Sequence, residues 1–137
     1  MKNTILIDTN LILRLLIGDI PIQLKKSQQL FKKIENKKIT GLISILVINE
    51  LIWILEKFYH QKKSEYIPLI LRLISLKNTK ILEIKKQELI QILRKMKDAN
   101  LDFTDLYLLF SSQKLKNKIA SFDKKLNYHS RLPGSSF

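Results

Sequence analysis

Short apolar runs alternate with longer stretches of helical periodicity along this chain. The runs are rich in Ile and Leu and are bounded by polar residues, which is typical of buried strands. We predict strands at residues 4–7, 38–43, 80–84 and 118–121. Since strands that alternate with helices form βαβ units, the pattern predicts an α/β fold. Its central, mainly parallel sheet of about four to five strands is expected to be covered on both faces.

The stretches between the strands place apolar residues three and four positions apart, as an amphipathic helix requires. We predict helices at residues 11–17, from 21 to about 36, from 45 to about 59, from 64 to about 76, 86–97 and 105–114. Gly18 is expected to end the first helix and Pro21 to begin the second. Ser44 and Ser64 are the expected caps of the third and fourth helices.

Length and composition fit one domain, residues 1–137, with an irregular tail from about residue 127. Hydrophobic residues make up 45% of the chain and only 3 Gly and 3 Pro are present, which argues against a disordered protein. Cysteine is absent, which excludes disulfides and thiolate zinc sites and fits a cytoplasmic location. The first residues do not resemble a signal peptide, because their apolar run is short and Asp8 follows at once. We expect no membrane span, since no apolar stretch is long enough.

The net charge of +13, from 25 Lys plus Arg against 12 Asp plus Glu, predicts attraction to polyanions. Nucleic acid is the first such partner, and an anionic membrane surface or an acidic protein comes next. A genome rich in A and T would also produce a chain rich in Lys, Ile and Asn. Charge alone therefore does not identify the partner.

Several acids stand beside apolar residues, where a carboxylate is costly unless it is paired or binds a metal ion. Asp8 ends the first strand, Asp123 follows the last, Glu50 interrupts an apolar helix, and Asp105 opens another. Because ligands of parallel sheets bind beyond the carboxyl ends of the strands, we expect these acids to converge there. Clustered carboxylates suit Mg²⁺ or Mn²⁺, and such an ion activates water for phosphodiester cleavage. A basic protein with inward acids suggests a metal-dependent nuclease.

Each of these acids also has a structural explanation. Asp8 could cap the helix that follows it, and Thr9 and Asn10 are expected to be capping or supporting residues rather than metal ligands. Glu50 could pair with an interior lysine, and Asp123 could be a turn residue at a strand end. A site without metal would require the structural explanation of every acid to be true at the same time. The metal-site interpretation is therefore favoured.

Asp102 lies three residues before Asp105 and can share its helix face. We expect Asp102 to act at the helix N-terminus, where the helix dipole favours an acid, and support of the metal stays open.

Aromatic and histidine side chains are weaker candidates. Trp53 and Phe58 are expected to be core or interface residues rather than base-stacking ones. His60 and His129 are isolated beside polar residues, and no pair of histidines has metal-ligand spacing. We expect both histidines at the surface.

Four segments that each contain one of the acids resemble the PIN domain. The closest resemblance is to the toxin ribonucleases of bacterial and archaeal type II toxin–antitoxin pairs, the VapC group. The segments are residues 5–19, 48–56, 101–105 and 121–125. Their order and separations fit the family, and the resemblance covers essentially the whole chain.

The resemblance implies a three-layer α/β/α fold around a parallel sheet and a site of four acids. The expected catalytic residues are Asp8, Glu50, Asp105 and Asp123. Asp8 and Asp105 would be the leading Mg²⁺ ligands, with Mn²⁺ as the alternative ion, and Asn10 and Ser121 would support the site. The resemblance also implies endoribonuclease action on single-stranded or structured RNA, a homodimer, and inhibition by a small antitoxin that covers the site.

The chain departs from the family at Leu106 and Tyr107, where a small residue often follows the third acid. We expect this bulk to alter the packing beside the site.

Two other functions compete with the ribonuclease. One is a non-catalytic PIN-like module that binds RNA or protein. The other is a phosphatase with Asp8 as nucleophile, although Asn10 stands where its second acid is expected.

Overall fold

The computed structural model describes residues 3–131, which form three strands and seven helices. In chain order the elements are β1 Thr4–Leu6, α1 Thr9–Ile17, α2 Pro21–Glu35, β2 Thr40–Ile43, α3 Ile45–Lys57, α4 Lys63–Ile74, β3 Thr79–Ile81, α5 Lys86–Asp98, α6 Phe103–Leu115 and α7 Lys124–Arg131. The chain divides into two compact units, Met1–Gln87 and Glu88–Phe137. No helix in the described part is long and apolar enough to cross a membrane.

The sheet lies in the first unit and has the strand order β1-β2-β3, with both pairs parallel. Leu6 pairs with Leu42, and Leu42 pairs with Lys80. Backbone bonds continue beyond the strands, since the Ile7 N–H donates to Leu42 at 3.0 Å and the Leu82 N–H to Ile43 at 3.0 Å. The residues that follow the three strands therefore share one edge of the sheet.

The predicted α/β class and parallel sheet are confirmed, and the arrangement is consistent with a three-layer α/β/α fold. The strand predicted at residues 118–121 is wrong, because the backbone there is irregular and the described part contains three strands. In that run only Ile119 and Ser121 are partly buried, so it has little apolar surface to bury in a sheet.

The irregular tail predicted from about residue 127 is wrong for residues 127–131. Residues 127–131 belong to α7, and residues 132–137 lie outside the described part of the chain. That a single domain covers residues 1–137 stays a prediction.

Close packing of α2 on the sheet depends on Gly41 in β2. A Cβ atom at Gly41 would meet Cδ1 of Ile34 at 2.8 Å and Cδ1 of Ile7 at 2.9 Å. Both isoleucines are buried in the core of the first unit. The missing side chain thus lets α2 lie directly against the strand that precedes α3.

Two helix ends follow the prediction. Gly18 ends α1 with a left-handed φ of 70°, which glycine adopts without strain, and donates its N–H to the Arg14 carbonyl at 3.0 Å. Ser44 begins α3, where its hydroxyl accepts the Leu46 N–H at 3.1 Å.

The predicted Ser64 cap of α4 is wrong, since the helix already begins at Lys63. The Glu65 carboxylate accepts the Lys62 N–H at 3.0 Å and secures the helix start. Glu65, at the third position of α4, therefore stabilises the helix N-terminus, the role that was predicted for Ser64.

The second unit consists of helices. Helix α5 buries Leu89, Ile92 and Leu93, and α6 buries Phe103 and Leu106. An ion pair of 3.0 Å between Lys114 and Glu88 joins α6 to α5.

Candidate active site

Asp8 lies just beyond the end of β1, and its side chain is exposed. It is the N-cap of α1, where its carboxylate accepts the Asn10 N–H at 3.4 Å. The capping explanation of Asp8 therefore holds. It leaves the metal role open, because one long hydrogen bond occupies little of a carboxylate's acceptor capacity.

The neighbours of Asp8 differ in exposure. Thr9 is 3% exposed and belongs to the buried side of α1, whereas Asn10 is exposed beside Asp8. Asn10 can thus reach a ligand of Asp8, and Thr9 can act only by supporting the helix start.

Glu83 is a residue that the sequence analysis missed. It stands two residues after β3, as Asp8 stands two residues after β1. Its carboxylate accepts the Ile45 N–H at 2.8 Å and the Ser44 hydroxyl at 2.5 Å. The sequence signal that could have identified Glu83 is an acid directly after a short strand. In the structure Glu83 stabilises the start of α3.

Glu50 lies on an exposed face of α3. It shares that face with Leu46 and Trp53, which are 76% and 61% exposed and stand four residues before and three after it. Trp53 is therefore not a core residue, and neither is Phe58, which is 72% exposed. The structure assigns Glu50 no interior lysine partner, since the side chain is not interior.

Asp102 and Asp105 stand together at the start of α6 in the second unit. Asp102 is the N-cap, as expected from the helix dipole, and its carboxylate accepts the Asp105 N–H at 2.8 Å. Burial raises the pKa of the half-buried Asp105 carboxyl above its usual range, and the charges of Asp102 and Asp123 raise it further. Burial is thus the main cause of the raised pKa, and repulsion between carboxylates adds to it.

Asp123 begins α7 rather than closing a strand. Its carboxylate accepts the Lys125 N–H at 2.9 Å and the Leu126 N–H at 3.3 Å. The Ser121 hydroxyl in turn accepts the Asp123 N–H at 2.9 Å, so Ser121 helps to hold the backbone of Asp123. The capped turn holds Asp123 close enough to Asp105 for their charges to interact.

The bulk at Leu106 is accommodated away from solvent. Leu106 is fully buried, while the ring of Tyr107 stacks on Phe103 with centroids 6.5 Å apart. Leu106 therefore belongs to the helical core of the second unit.

The prediction that the acids point inward is wrong for most of them. Asp8, Glu50, Asp102 and Asp123 are exposed, and Asp105 is half-buried. Each of the exposed acids sits at a helix start or on the open side of a helix whose opposite side is apolar. The apolar neighbours in sequence thus correctly predicted β1, α3 and α6, but they wrongly predicted a strand before Asp123 and buried carboxylates.

The donor chemistry suits a hard divalent cation, because every candidate ligand is a carboxylate. In the part of the chain that the structure describes, no three acidic or histidine side chains are grouped so that they could hold an ion. Considered separately, the first unit offers Asp8 and Glu50 and the second offers Asp105 and Asp123. Each unit thus contains two of the four acids that are candidate metal ligands.

The PIN domain family matches residues 5–132, nearly the whole chain. No curated protein and no solved structure is significantly similar to the chain. PIN domains are generally nucleases, which agrees with the basic charge and the four acids. On the length of this match, the chain belongs to the PIN domain family.

Proposed function

We propose that the chain is a Mg²⁺-dependent endoribonuclease, with Mn²⁺ as an alternative ion, and the toxin of a type II toxin–antitoxin pair. The observation that carries the proposal is the family match across residues 5–132 together with an acid in each of the four matching segments. The raised pKa of Asp105 is compatible with it, because burial is the main cause and the charges of Asp102 and Asp123, whose repulsion a divalent cation would relieve, add to it.

In this proposal Asp8 and Asp105 would be the ligands of the ion. Mg²⁺, when bound, would supply polarisation of the phosphoryl group and activation of water near neutral pH. Glu50 would orient the attacking water and accept its proton, and its exposure gives solvent ready access to it. Asp123 completes the acidic set or serves a second ion, while Asn10 and Ser121 support the acids.

The proposed toxin role adds two partners, a cognate antitoxin protein and a second copy of the chain. The exposed apolar side chains of Leu46 and Trp53 on α3 are compatible with a protein contact. They flank Glu50, so a partner bound there would also shield the proposed base.

Cleavage of RNA by the purified chain tests the proposal. Wild type is expected to cut RNA with Mg²⁺ or Mn²⁺ and to stop on addition of EDTA. Asp8→Asn and Asp105→Asn should each lose cleavage, roughly a thousandfold or more, because charge stabilisation at the phosphoryl group is lost. Expression of wild type should arrest cell growth, and Asp8→Asn should not.

Asp98→Asn is the matched control, since Asp98 is an exposed acid in the second unit outside the four matching segments. It should cut like wild type. Cleavage retained by a folded, pure Asp8→Asn or Asp105→Asn protein would refute the assignment.

A non-catalytic binding module is the second candidate. It is favoured by the lack of a three-donor metal group among the described residues. A binding module should show no change in thermal unfolding when Mg²⁺ or Mn²⁺ is added, whereas the nuclease should be stabilised by the ion.

A further inference from the structure

A groove of about 370 Å³ lies beside Asp8, between α1 and α2. Small-molecule sites occupy roughly 300 to 1,000 Å³, so the groove is large enough for a small ligand. Polar and charged residues make up most of its lining, among them Asn10 from α1 and Gln23 and Lys26 from α2, but carbon atoms supply most of the lining surface. Leu11 is its apolar member. The groove therefore suits a ligand that combines polar groups with an apolar or aromatic face, close to a proposed metal-binding acid.

The two cationic side chains that line this groove differ in their hydrogen bonding and exposure. Arg14 donates from Nη1 to Asp19 at 2.8 Å and to the Tyr59 hydroxyl at 3.2 Å, and from Nε to Gln23 at 3.0 Å. Its charge is thus balanced by Asp19, and it shapes the wall of the groove. Lys26 is exposed on α2 and offers its ammonium to the solvent side. Lys26 is therefore the cation that an incoming anion meets.

The same face of α2 continues away from the groove. Lys26, Gln29, Lys33 and Asn36 follow one another at intervals of three and four residues, which keeps them in one row on a helix. The latter three line a second depression of about 380 Å³. The rise from Lys26 to Lys33 is about 10 Å, at roughly 1.5 Å per residue. A separation of this size allows Lys26 and Lys33 to contact different phosphates of one strand.

We propose that this row on α2 carries a single RNA strand, with one nucleotide in the groove beside Asp8 and nearby phosphates on Lys26 and Lys33. The proposal rests on the proposed ribonuclease function and names where the substrate lies.

RNA is favoured over an acidic protein by the chemistry of the row. Ammonium groups bind phosphates, and the amides of Gln23 and Gln29 can bond bases or sugars. The apolar carbon atoms of the groove lining add a surface for the face of a base, which an acidic peptide does not require.

Binding of a labelled single-stranded RNA of about ten nucleotides, followed by fluorescence anisotropy, tests the proposal. All proteins carry Asp105→Asn, a change in the other unit, so that the RNA stays intact. In Lys26→Gln/Lys33→Gln the Kd should rise about tenfold. The slope of log affinity against log salt should fall by about 1.4, at roughly 0.7 per lost contact with a single strand. Gln keeps helix propensity near that of Lys, so α2 should stay folded, which circular dichroism checks.

Lys25→Gln/Lys57→Gln is the matched control. It removes the same charge from the same unit, at exposed positions on another row of α2 and at the end of α3. Its Kd should stay within about twofold of the parent, because only general attraction changes.

The outcomes separate this path from catalysis. Equal losses in both double variants, or none in Lys26→Gln/Lys33→Gln, would overturn the path, and RNA cleavage by wild type would still uphold the nuclease. A selective loss in Lys26→Gln/Lys33→Gln supports the path even if wild type cuts no RNA. Unchanged RNA binding together with lost binding of an acidic peptide would reassign the row to a protein partner.

Discussion

At the scale of the residue, Asp105 is the most perturbed of the proposed acids. Burial raises the pKa of its carboxyl, and the neighbouring charges of Asp102 and Asp123 add to the effect. A raised folded-state pKa means that the folded chain binds the proton more tightly than the unfolded chain. Ionisation of Asp105 therefore costs folding free energy, and this cost appears as the pH rises through its pKa.

Asp105→Asn should accordingly stabilise the metal-free protein at about pH 7, raising Tm by a few degrees at most. The gain should shrink as the pH falls through the raised pKa toward the usual aspartate pKa of 3.8, because the wild-type carboxyl is then protonated as well. Thermal unfolding followed by circular dichroism in EDTA, across this pH range, measures the effect. Asp98→Asn, at an exposed acid of the same unit, should leave Tm unchanged, and an equal gain in both variants would contradict the prediction.

The sequence indicates which acids are candidates for the site, but their burial could not be predicted from it. Glu50 stands among apolar residues along the chain, yet Leu46 and Trp53 on its face of α3 are exposed. Hydropathy does not distinguish an apolar side chain that packs inside from one that faces solvent or a partner. The inference that a carboxylate is inward therefore needs the neighbours in space rather than those in sequence.

At the scale of the element, the start of α3 is held by two residues from different strands' ends. Ser44 caps the helix, and Glu83 accepts both the Ile45 N–H and the Ser44 hydroxyl. Two of the N–H groups that a helix start leaves without intrahelical partners are thereby satisfied. Glu83 thus links the end of β3 to the helix that carries Glu50.

Glu83→Ala should destabilise the fold by about 1 kcal/mol, because the Ile45 N–H and the Ser44 hydroxyl lose their acceptor. Urea unfolding gives the free energy directly. The control is Glu35→Ala, which removes an exposed acid at the end of α2, where a negative charge is unfavourable, so it should cost nothing. A Glu83→Ala protein as stable as wild type would show that water replaces the carboxylate.

Most helices and the three strands could be predicted from periodicity, and the errors have physical causes. Serine is a favourable N-cap residue type, but α4 begins before Ser64, and the Glu65 carboxylate accepts the Lys62 N–H at the helix start. The run at residues 118–121 has the composition of a strand without enough buried surface to form one. Helix α7 was missed because its eight residues, Lys124–Arg131, are largely polar, and only the capping by Asp123 marks its start.

At the scale of the whole molecule, positive charge is spread over both units, and lysines are concentrated in α2 and the residues that follow it. Residues 25–38 contain six lysines and one acid. A compositional bias toward lysine predicts cations at all exposed positions alike, whereas an RNA path needs them in a row that leads to the proposed site. The row from Lys26 to Lys33 begins at the groove beside Asp8 and fits the second expectation, and the remaining lysines supply a general attraction.

The last prediction concerns this general attraction between the lysines and the phosphates of nucleic acids. Single-stranded DNA should bind within about tenfold of RNA of the same sequence and lose affinity along the same salt slope, because phosphate attraction does not read the sugar. With about four phosphate contacts, affinity should fall roughly fiftyfold between about 50 and 200 mM NaCl. Anisotropy titrations with both strands measure it, with an uncharged-backbone oligomer as the control that should not bind. RNA binding that does not change with salt would mean that the charge of +13 reflects composition and that recognition comes from other contacts.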